Sequence, residues 1–333
     1  MNWATSILSN TLLPLLIAGV AYGKIMAAGV ARLNPPIGKR IQVGSMNLHV
    51  LHVPAGEAAD LPALVFIHGA SGNLLDQATP FLEPLRGRAE LLFVDRPGHG
   101  YSDRGGPEND TPAGQANAIA GAMDALGIKR AIIVGHSFGG AVAASFAVLH
   151  PEKTQGLLLL APATHPWPGG VTWHYNITAT PVIGPAFAHA IAPIAGMLQM
   201  KRAIASVFAP NPAPSDYIAK TVPMLVLRPK TFRYNAKDMT GLHAYVSRMA
   251  ARYSEIKAPT VIISGDSDDI VLANIHSTGL ARDIEGAELV WLPGVGHKPD
   301  YVATELAIAA IEKISGAERD LQAIVNVAQP SAA

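Results

Sequence analysis

A serine in a glycine-rich turn is the residue best suited to chemistry in this chain of 333 residues. Ser137 lies in residues 135–139 (GHSFG), directly after the apolar run 131–134 and directly before an alanine-rich stretch with helical spacing. Small residues around the serine permit a sharp turn from strand to helix, which exposes the hydroxyl at the end of a sheet and at a helix N-terminus. We therefore predict that Ser137 is a nucleophile.

A histidine late in the chain is the candidate base. His297 ends the loop 293–297 (PGVGH), and it is the only one of the twelve histidines that follows the last apolar run, 289–292. An imidazole is the side chain best able to take the proton of a serine hydroxyl near neutral pH. We expect His136 to pack beneath the serine turn and His276 to lie on the surface of a helix.

Several carboxylates could orient this base. They cluster in residues 265–271 (GDSDDIV), directly after another apolar run. A carboxylate that accepts a hydrogen bond from the imidazole holds it in the required tautomer. Asp266, Asp268 and Asp269 are all candidates, although clustered carboxylates raise each other's pKa, so all three cannot be assumed to be ionised.

Two backbone N–H groups are expected beside the nucleophile. Attack on a carbonyl puts negative charge on its oxygen, and one N–H fixed about 3 Å away contributes on the order of 3 kcal/mol. We assign these donors to Phe138, directly after the serine, and to Ala70 in residues 68–72 (HGASG), with Ser71 as a less favoured substitute. We expect His68 to hold this loop by hydrogen bonds.

Alternating strands and helices must position these residues. Continuous apolar runs are typical of strands in a parallel sheet covered on both faces; they lie at 63–67, 91–94, 131–134, 157–160, 260–263 and 289–292. Helical spacing occurs at 74–87, 112–127, 138–150, 272–284 and 299–315. Residues 39–53 indicate a hairpin with a turn near Gly44. The pattern predicts an open, doubly wound α/β sheet.

Residues 163–257 interrupt this alternation and indicate an inserted helical cap over the sheet. The cap is rich in Ala, Pro, Met and aromatic residues. Eight of its side chains could line an apolar pocket or simply pack the cap helices together: Trp167, Trp173, Tyr175, Phe187, Met197, Met200, Phe208 and Met224. No acidic residue occurs between Glu152 and Asp216, so the run 157–160 supplies no acid for the site.

These motifs resemble the α/β-hydrolase superfamily, in particular its capped members of the serine esterase and lipase type. The resemblance rests on four sequences in order: residues 68–69 (HG), 95–102 (DRPGHGYS), 135–140 (GHSFGG) and the late 296–297 (GH). It covers most of the chain except the N-terminal segment and the cap. It implies a mostly parallel eight-stranded sheet with helices on both faces and Ser-His-acid catalysis.

The resemblance also bears on the acid. In this superfamily the acid follows the nucleophile in the chain, which disfavours Asp95. The pattern Gly-x-x-Asp-x-Ile-Val is similar to residues 265–271 and selects Asp268, with Asp266 and Asp269 as alternatives.

The N-terminal segment is unusually apolar. Residues 1–23 carry no charged side chain, and only Lys24 interrupts residues 11–31, which have about the 20-residue length that spans a bilayer. We expect membrane association through residues 11–31. The basic residues that follow favour a cytoplasmic catalytic domain: Arg32, Lys39 and Arg40. An uncharged signal sequence, with export to the periplasm or outside, and a packed helix are the alternatives.

Composition excludes several function classes. Acidic and basic residues balance at 25 each, so no net charge attracts nucleic acid. The absence of cysteine excludes disulfides, thiolate metal sites and a cysteine nucleophile. We expect neither a metal nor an organic cofactor. The predicted organisation is an N-terminal segment and linker (1–36), a first core part (37–162), the cap (163–257), a second core part (258–315) and a frayed tail (316–333).

The expected reaction is hydrolysis of a carboxylic ester of a hydrophobic small molecule through an acyl-enzyme. A lactonase or a C–C bond hydrolase on the same scaffold is the first alternative. A non-catalytic accessory protein with the same fold is the second.

Overall fold

An eight-stranded sheet forms the centre of the molecule. The computed structural model describes residues 13–328. The strands are β1 Lys39–Val43, β2 Met46–Val53, β3 Leu64–Ile67, β4 Leu91–Val94, β5 Ala131–His136, β6 Thr154–Leu160, β7 Thr260–Gly265 and β8 Glu288–Leu292. Their order is β1-β2-β4-β3-β5-β6-β7-β8. Strand β2 is antiparallel to both of its neighbours, and the other pairs are parallel. This architecture confirms the predicted fold class.

Helices cover both faces of the sheet because its central strands are apolar on both sides. In β4, Leu92 and Val94 enter one core layer, whereas Leu91 and Phe93 enter the other. The helices of the core are α2 Leu74–Leu85, α3 Pro112–Leu126, α4 Phe138–Leu149, α10 Ala273–Asp283, α11 Pro299–Val302, α12 Thr304–Ile314 and α13 Leu321–Ala328. The helix expected at 299–315 is therefore two helices, α11 and α12, with Ala303 between them.

The chain between β6 and β7 forms the cap. Its α-helices are α5 Trp173–Ala179, α6 Ile183–Ala190, α7 Ala192–Phe208, α8 Tyr217–Thr221 and α9 Pro229–Met249. The long helix α9 contacts α5, α6 and α7, and it also reaches α3 of the core. Helix α9 thus connects α5, α6 and α7 to the core, whereas α8 contacts α2 of the core directly.

The tail is more ordered than predicted. We expected residues 316–333 to be frayed, but residues 321–328 form α13, in which Leu321 and Val325 are buried. Their spacing of four residues puts both side chains on one helix face, which packs against the core. Residues 329–333 lie outside the described residues.

The N-terminal segment forms a helix that packs on the cap. Helix α1, Leu13–Leu33, contacts α6 closely at its glycines: a Cβ on Gly19 would lie 2.8 Å from Cβ of Ala190, and one on Gly23 would lie 2.2 Å from O of His189. Within residues 13–328, no single helix meets the length and hydropathy of a bilayer span, although α6 and α7 do so together across a bend of 59°. The expected spanning helix is therefore not supported in this part of the chain, and residues 11 and 12 lie outside it.

Candidate active site

The predicted nucleophile lies in a strained turn between β5 and α4. Ser137 has φ 56° and ψ −120°, a backbone conformation that L-residues rarely adopt. The turn brings backbones very close: a Cβ on Gly135 would lie 2.4 Å from O of Gly139, and a Cβ on Gly139 would lie 2.2 Å from O of Ile67. Both positions therefore require glycine, which explains the spacing of the GHSFG sequence.

The structure brings the three predicted side chains into one hydrogen-bonded row. Nε2 of His297 lies 2.9 Å from Oγ of Ser137, and Nδ1 of His297 lies 2.7 Å from Oδ2 of Asp268. All three residues are buried. The arrangement can pass a proton from the hydroxyl to the imidazole while the carboxylate fixes the tautomer.

Asp268 is held as an anion. Burial on its own would raise the pKa of this carboxyl, but the charge of His297 and hydrogen bonds from His297 and from the N–H groups of Val271 and Ile270 outweigh burial and lower the pKa. Asp266 instead accepts a hydrogen bond from N–H of Gly294, and Asp269 is exposed at the edge of the cavity. Of the three candidate acids, Asp268 is the one bonded to the histidine.

The alternative acid before the nucleophile has a different role. Asp95 is buried, and its carboxylate contacts Nδ1 of His49 at 2.6 Å and accepts hydrogen bonds from the N–H groups of Leu74 at 2.7 Å and Tyr101 at 2.8 Å. These contacts fix the loops after β3 and β4. Asp95 is therefore a structural residue at the sheet edge.

The backbone N–H groups of Ala70 and Phe138 remain available beside the serine. The described residues offer neither group a hydrogen-bond acceptor. The N–H of Ser71, in contrast, donates to Oδ1 of Asn235 at 2.7 Å, and the Ser71 hydroxyl contacts the same cap residue. Ser71 is thus unsuited to the oxyanion role, and the arrangement favours the pair Ala70 and Phe138.

A buried arginine fixes the orientation of the Ala70 loop. Arg96 donates from Nε to O of His68 and from Nη2 to O of Gly69, both at 3.0 Å. The C=O of Gly69 and the N–H of Ala70 belong to one planar trans peptide and point in opposite directions. Holding that carbonyl therefore aims the N–H of Ala70. His68 assists, because its Nε2 accepts the N–H of Arg96 at 3.1 Å, which matches its expected structural role.

The same arginine connects this loop to the cap. Nη1 of Arg96 lies 2.9 Å from Oδ2 of Asp238 on α9, and Nη2 of Arg104 lies 2.5 Å from Oδ1 of the same carboxylate. Burial lowers the pKa of Arg96 to about 10, opposed by the charge of Asp238, so the guanidinium stays charged near neutral pH. No local sequence pattern relates positions 96 and 238, so this ion pair could not be predicted from the sequence.

The two histidines near the triad are both buried. His136 packs beneath the turn as expected, with Nε2 2.8 Å from O of His297. The expected surface position of His276 is wrong: it is 3% exposed, and its Nδ1 accepts the N–H groups of Thr164 at 3.0 Å and His165 at 2.9 Å. His276 faces inward on α10 because it caps the two N–H groups of the chain leaving β6.

Acid is expected to destabilise the protein through these histidines. Burial lowers the pKa of His136 and of His276 to about 4. The unfolded state therefore takes up protons below about pH 6.5 that the folded state refuses, so stability is lost as pH falls from 6.5 towards 4. His276→Asn should shrink the difference in unfolding free energy between about pH 7 and 5 by roughly 2 kcal/mol. Urea titrations measure this, with His243→Asn at an exposed position as the matched control.

A buried lysine beside the base holds a second charged cluster. Nζ of Lys298 lies 3.0 Å from Oδ2 of Asp76 and 2.9 Å from Oδ2 of Asp300. Burial works against the ammonium, but the charges of Asp300 and Asp76 raise the pKa of Lys298. Asp76, His136 and Asp300 also present metal-ligand atoms within 4.8 Å of one another. Lys298 already contacts both carboxylates, so the donor set fits an internal ion-pair group better than a metal centre.

A cavity of about 890 Å³ opens on the serine hydroxyl beneath the cap. Of the eight cap side chains proposed as pocket residues, six line it: Trp167, Trp173, Tyr175, Phe187, Met200 and Phe208. Met197 instead lies exposed on α7, and Met224 packs against a small cluster of Val30, Val222 and Leu225. The walls are mainly apolar, which suits a hydrophobic group.

The described lining of the cavity offers no free cation to a substrate. Lys298 is its one lysine or arginine, and two carboxylates neutralise it. Burial also lowers the pKa of His136, His174 and His276 below the ordinary histidine value, which keeps them neutral near pH 7. An anionic group would lose its hydration here without gaining an ion pair.

Known proteins are similar to this chain in fold and over most of its length. A family model described as the alpha/beta hydrolase fold matches residues 62–182. The 2-hydroxy-6-oxononadienedioate/2-hydroxy-6-oxononatrienedioate hydrolase of Comamonas testosteroni is 24% identical over 266 residues, which cover 78% of this chain and 89% of that protein. The solved enol-lactonase from Burkholderia xenovorans LB400 is 20% identical, with a TM-score of 0.64 over 83% of this chain and 99% of its own.

The solved structure of a membrane phospholipase A is similar over a longer part of the chain: the match covers 94% of this chain and 96% of the phospholipase chain. The two are 20% identical, and the TM-score is 0.61. Likenesses at this level of identity establish the fold and not the substrate. Taken with the matched family model and the curated hydrolases, they show that the chain is a hydrolase with the α/β-hydrolase fold.

Proposed function

We propose that this hydrolase cleaves a carboxylic ester of an uncharged, hydrophobic molecule through a covalent acyl-enzyme. The observation that carries the proposal is the position of Ser137 at the base of an apolar cavity whose lining offers no free cation. The hydrogen-bonded row of Ser137, His297 and Asp268 supports the serine mechanism.

The proposed reaction has two halves. His297 takes the hydroxyl proton of Ser137 as Oγ attacks the ester carbonyl, and the N–H groups of Ala70 and Phe138 stabilise the resulting oxyanion. The C–O bond to the alcohol breaks as His297 returns the proton to the leaving oxygen. Water, deprotonated by His297, then attacks the acyl-enzyme, and the bond to Oγ of Ser137 breaks as His297 returns the proton to that oxygen and the acid is released. Asp268 stays ionised throughout and stabilises the imidazolium.

The cavity lacks a free cation, so the proposed substrate differs in charge from the substrates in the relatives' names. The Comamonas testosteroni relative is named for a nonadienedioate and a nonatrienedioate, which carry two carboxylates. Binding a carboxylate away from water requires a paired cation or several hydrogen bonds. Lys298 already serves Asp76 and Asp300 in this chain, so an uncharged substrate fits the cavity better.

A lactonase or a C–C bond hydrolase is the second candidate. The names of similar proteins, an enol-lactonase and a meta-cleavage product hydrolase, favour it. The serine, the base and the two N–H donors would serve either reaction. The difference lies in the leaving group, which remains tethered in a lactone and is a carbon acid in C–C cleavage.

A pair of esters with matched size tests the choice. The 4-nitrophenyl ester of a medium-length alkanoic acid is compared with the 4-nitrophenyl half-ester of the dicarboxylic acid of equal length. We expect kcat/KM for the neutral ester to be higher by about tenfold or more, because a desolvation cost of 1.4 kcal/mol is a factor of ten. Equal or higher kcat/KM for the anionic ester would contradict the proposal. Ring opening of a lactone or C–C cleavage of a vinylogous diketone faster than either ester would favour the second candidate.

A further inference from the structure

Helix α7 is apolar on both of its sides. Its inner side lines the cavity with Ala195, Met200 and Ile204. Its outer side exposes Ile194 and Leu198, which are 43% and 83% exposed and lie four residues apart on one face. A surface helix of a water-soluble protein ordinarily carries polar residues on its outer face. One helix therefore separates the substrate cavity from an exposed apolar surface.

This surface extends beyond α7. We define the cap face as five exposed apolar side chains on and beside α6 and α7: Val182, Ile183, Ile191, Ile194 and Leu198. Helix α1 adjoins it, because Gly19 packs on Ala190, directly before Ile191. Helix α1 adds further exposed apolar side chains: Ile17, Tyr22 and Ile25. Several exposed apolar side chains on adjoining helices are typical of an interaction site.

Within the segments that form the cap face and α1, the charged side chains are all basic. No acidic residue occurs before Glu57 or between Glu152 and Asp216, although the whole chain is neutral. The exposed Lys201 and Arg202 lie about one turn beyond Leu198 on α7. The surface therefore combines apolar side chains with basic ones and has no acidic residue within these segments.

We propose that the cap face, together with the exposed side of α1, docks flat on an anionic phospholipid bilayer. A helix with apolar residues facing the acyl boundary and Lys or Arg at the headgroup level is typical of proteins that lie in a membrane interface. A second copy of the chain is a poorer partner, because a symmetric contact uses the same patch on both copies and would bring together two basic surfaces that contain no acidic residue in these segments. Docking puts the inner wall of α7 between the lipid and Ser137, and it does not depend on which bond the serine hydrolyses.

The absence of cysteine permits a direct test in the full chain. Leu198→Cys is labelled with an environment-sensitive nitrobenzoxadiazole fluorophore, and Val327→Cys on α13, 82% exposed, is the matched control. Each protein is mixed with vesicles of phosphatidylcholine alone or with added phosphatidylglycerol. We expect a blue shift, and quenching by brominated lipid, for the label at position 198 on the anionic vesicles only. The emission wavelength of the label at 327 should not change when vesicles are added.

Three results would overturn the proposal. The label at 198 could show the same emission wavelength with vesicles as in water, although the protein floats with the vesicles. This result would mean that another part of the chain attaches the protein. The blue shift could instead appear without vesicles and grow with protein concentration, which would identify a second copy as the partner. The protein could also fail to bind anionic vesicles at all.

A charge substitution gives an independent measure. Leu198→Asp should lower the partition coefficient on anionic vesicles by at least about tenfold relative to Val327→Asp, because a carboxylate is costly at the acyl boundary and repels anionic headgroups. Equal partition of the two variants would contradict docking by the cap face. Ser137→Ala should partition like the wild type, so the outcome stands apart from the proposed ester chemistry.

Discussion

Ser137→Ala is expected to reduce kcat by a factor on the order of 10⁶, because the variant loses the atom that forms the acyl-enzyme. Asp268→Asn should cost about 10⁴, since the asparagine keeps the geometry but favours the wrong imidazole tautomer. Both losses are measured as initial rates on a neutral 4-nitrophenyl ester. Labelling of Ser137 by a fluorophosphonate should disappear in Ser137→Ala.

If Ser137 and His297 act together, the effects of their substitutions on kcat should not add. The double variant Ser137→Ala/His297→Ala should be no slower than Ser137→Ala, because the imidazole has no proton to accept once the hydroxyl is gone. Ser137→Ala removes only the hydroxyl and keeps the Cβ, so the fold should be preserved. The circular dichroism spectrum of the variant should therefore match that of the wild type. Activity that survives Ser137→Ala nearly intact would point to a different nucleophile and would end the proposed mechanism.

Arg96→Met is expected to lower stability by about 3–5 kcal/mol, because it removes a partner of the buried carboxylate of Asp238. The variant also frees the carbonyls of His68 and Gly69, so the N–H of Ala70 is no longer aimed at the oxyanion. In the fraction that folds, kcat should fall by about 10- to 100-fold, less than the full loss of a donor, and KM should change little. Unfolding in urea and single-turnover rates measure the two effects.

Arg104 provides the matched control for this prediction. Its guanidinium also contacts Asp238, but its other partners are Asp110 and O of Pro97, and it does not touch the Ala70 loop. Arg104→Met should therefore destabilise the fold and leave kcat nearly unchanged. Arg96→Lys keeps the charge but cannot hold both carbonyls, so it should recover stability more than kcat. Equal kcat in the Arg96 and Arg104 variants would show that Arg96 is only structural.

Local patterns in the sequence predicted much of the fold and the site. Ser137 lies in a turn that requires glycine, because a Cβ on Gly135 or Gly139 would lie less than 3 Å from a backbone oxygen. This constraint is local, so residues 135–139 alone are enough to predict the turn. His297 follows the last strand, and strand ends in a parallel sheet meet at one edge. The choice of Asp268 among three neighbouring carboxylates needed the family pattern, because spacing alone gave no preference between them.

Contacts between distant segments limited the prediction elsewhere. The charge of Arg96 is balanced by Asp238, which is 142 positions away, and no propensity relates two such residues. His276 was expected at the surface because helical spacing does not reveal which face is buried. The tail was expected to fray because residues 316–333 lose the helical periodicity, and the order of α13 comes from packing against the core. Lys298 gave no signal beyond its position beside the base.

The attachment of α9 constrains how molecules can enter the cavity. Asp238 on this helix is completely buried between Arg96 and Arg104, and Asn235 on the same helix bonds with Ser71. Swinging the whole cap outward would remove the carboxylate of Asp238 from both guanidinium groups and break the hydrogen bonds between Asn235 and Ser71 in the same movement. Displacement of other cap segments over a stationary α9 would leave these contacts in place, so molecules could enter the cavity without disturbing the loop that carries Ala70.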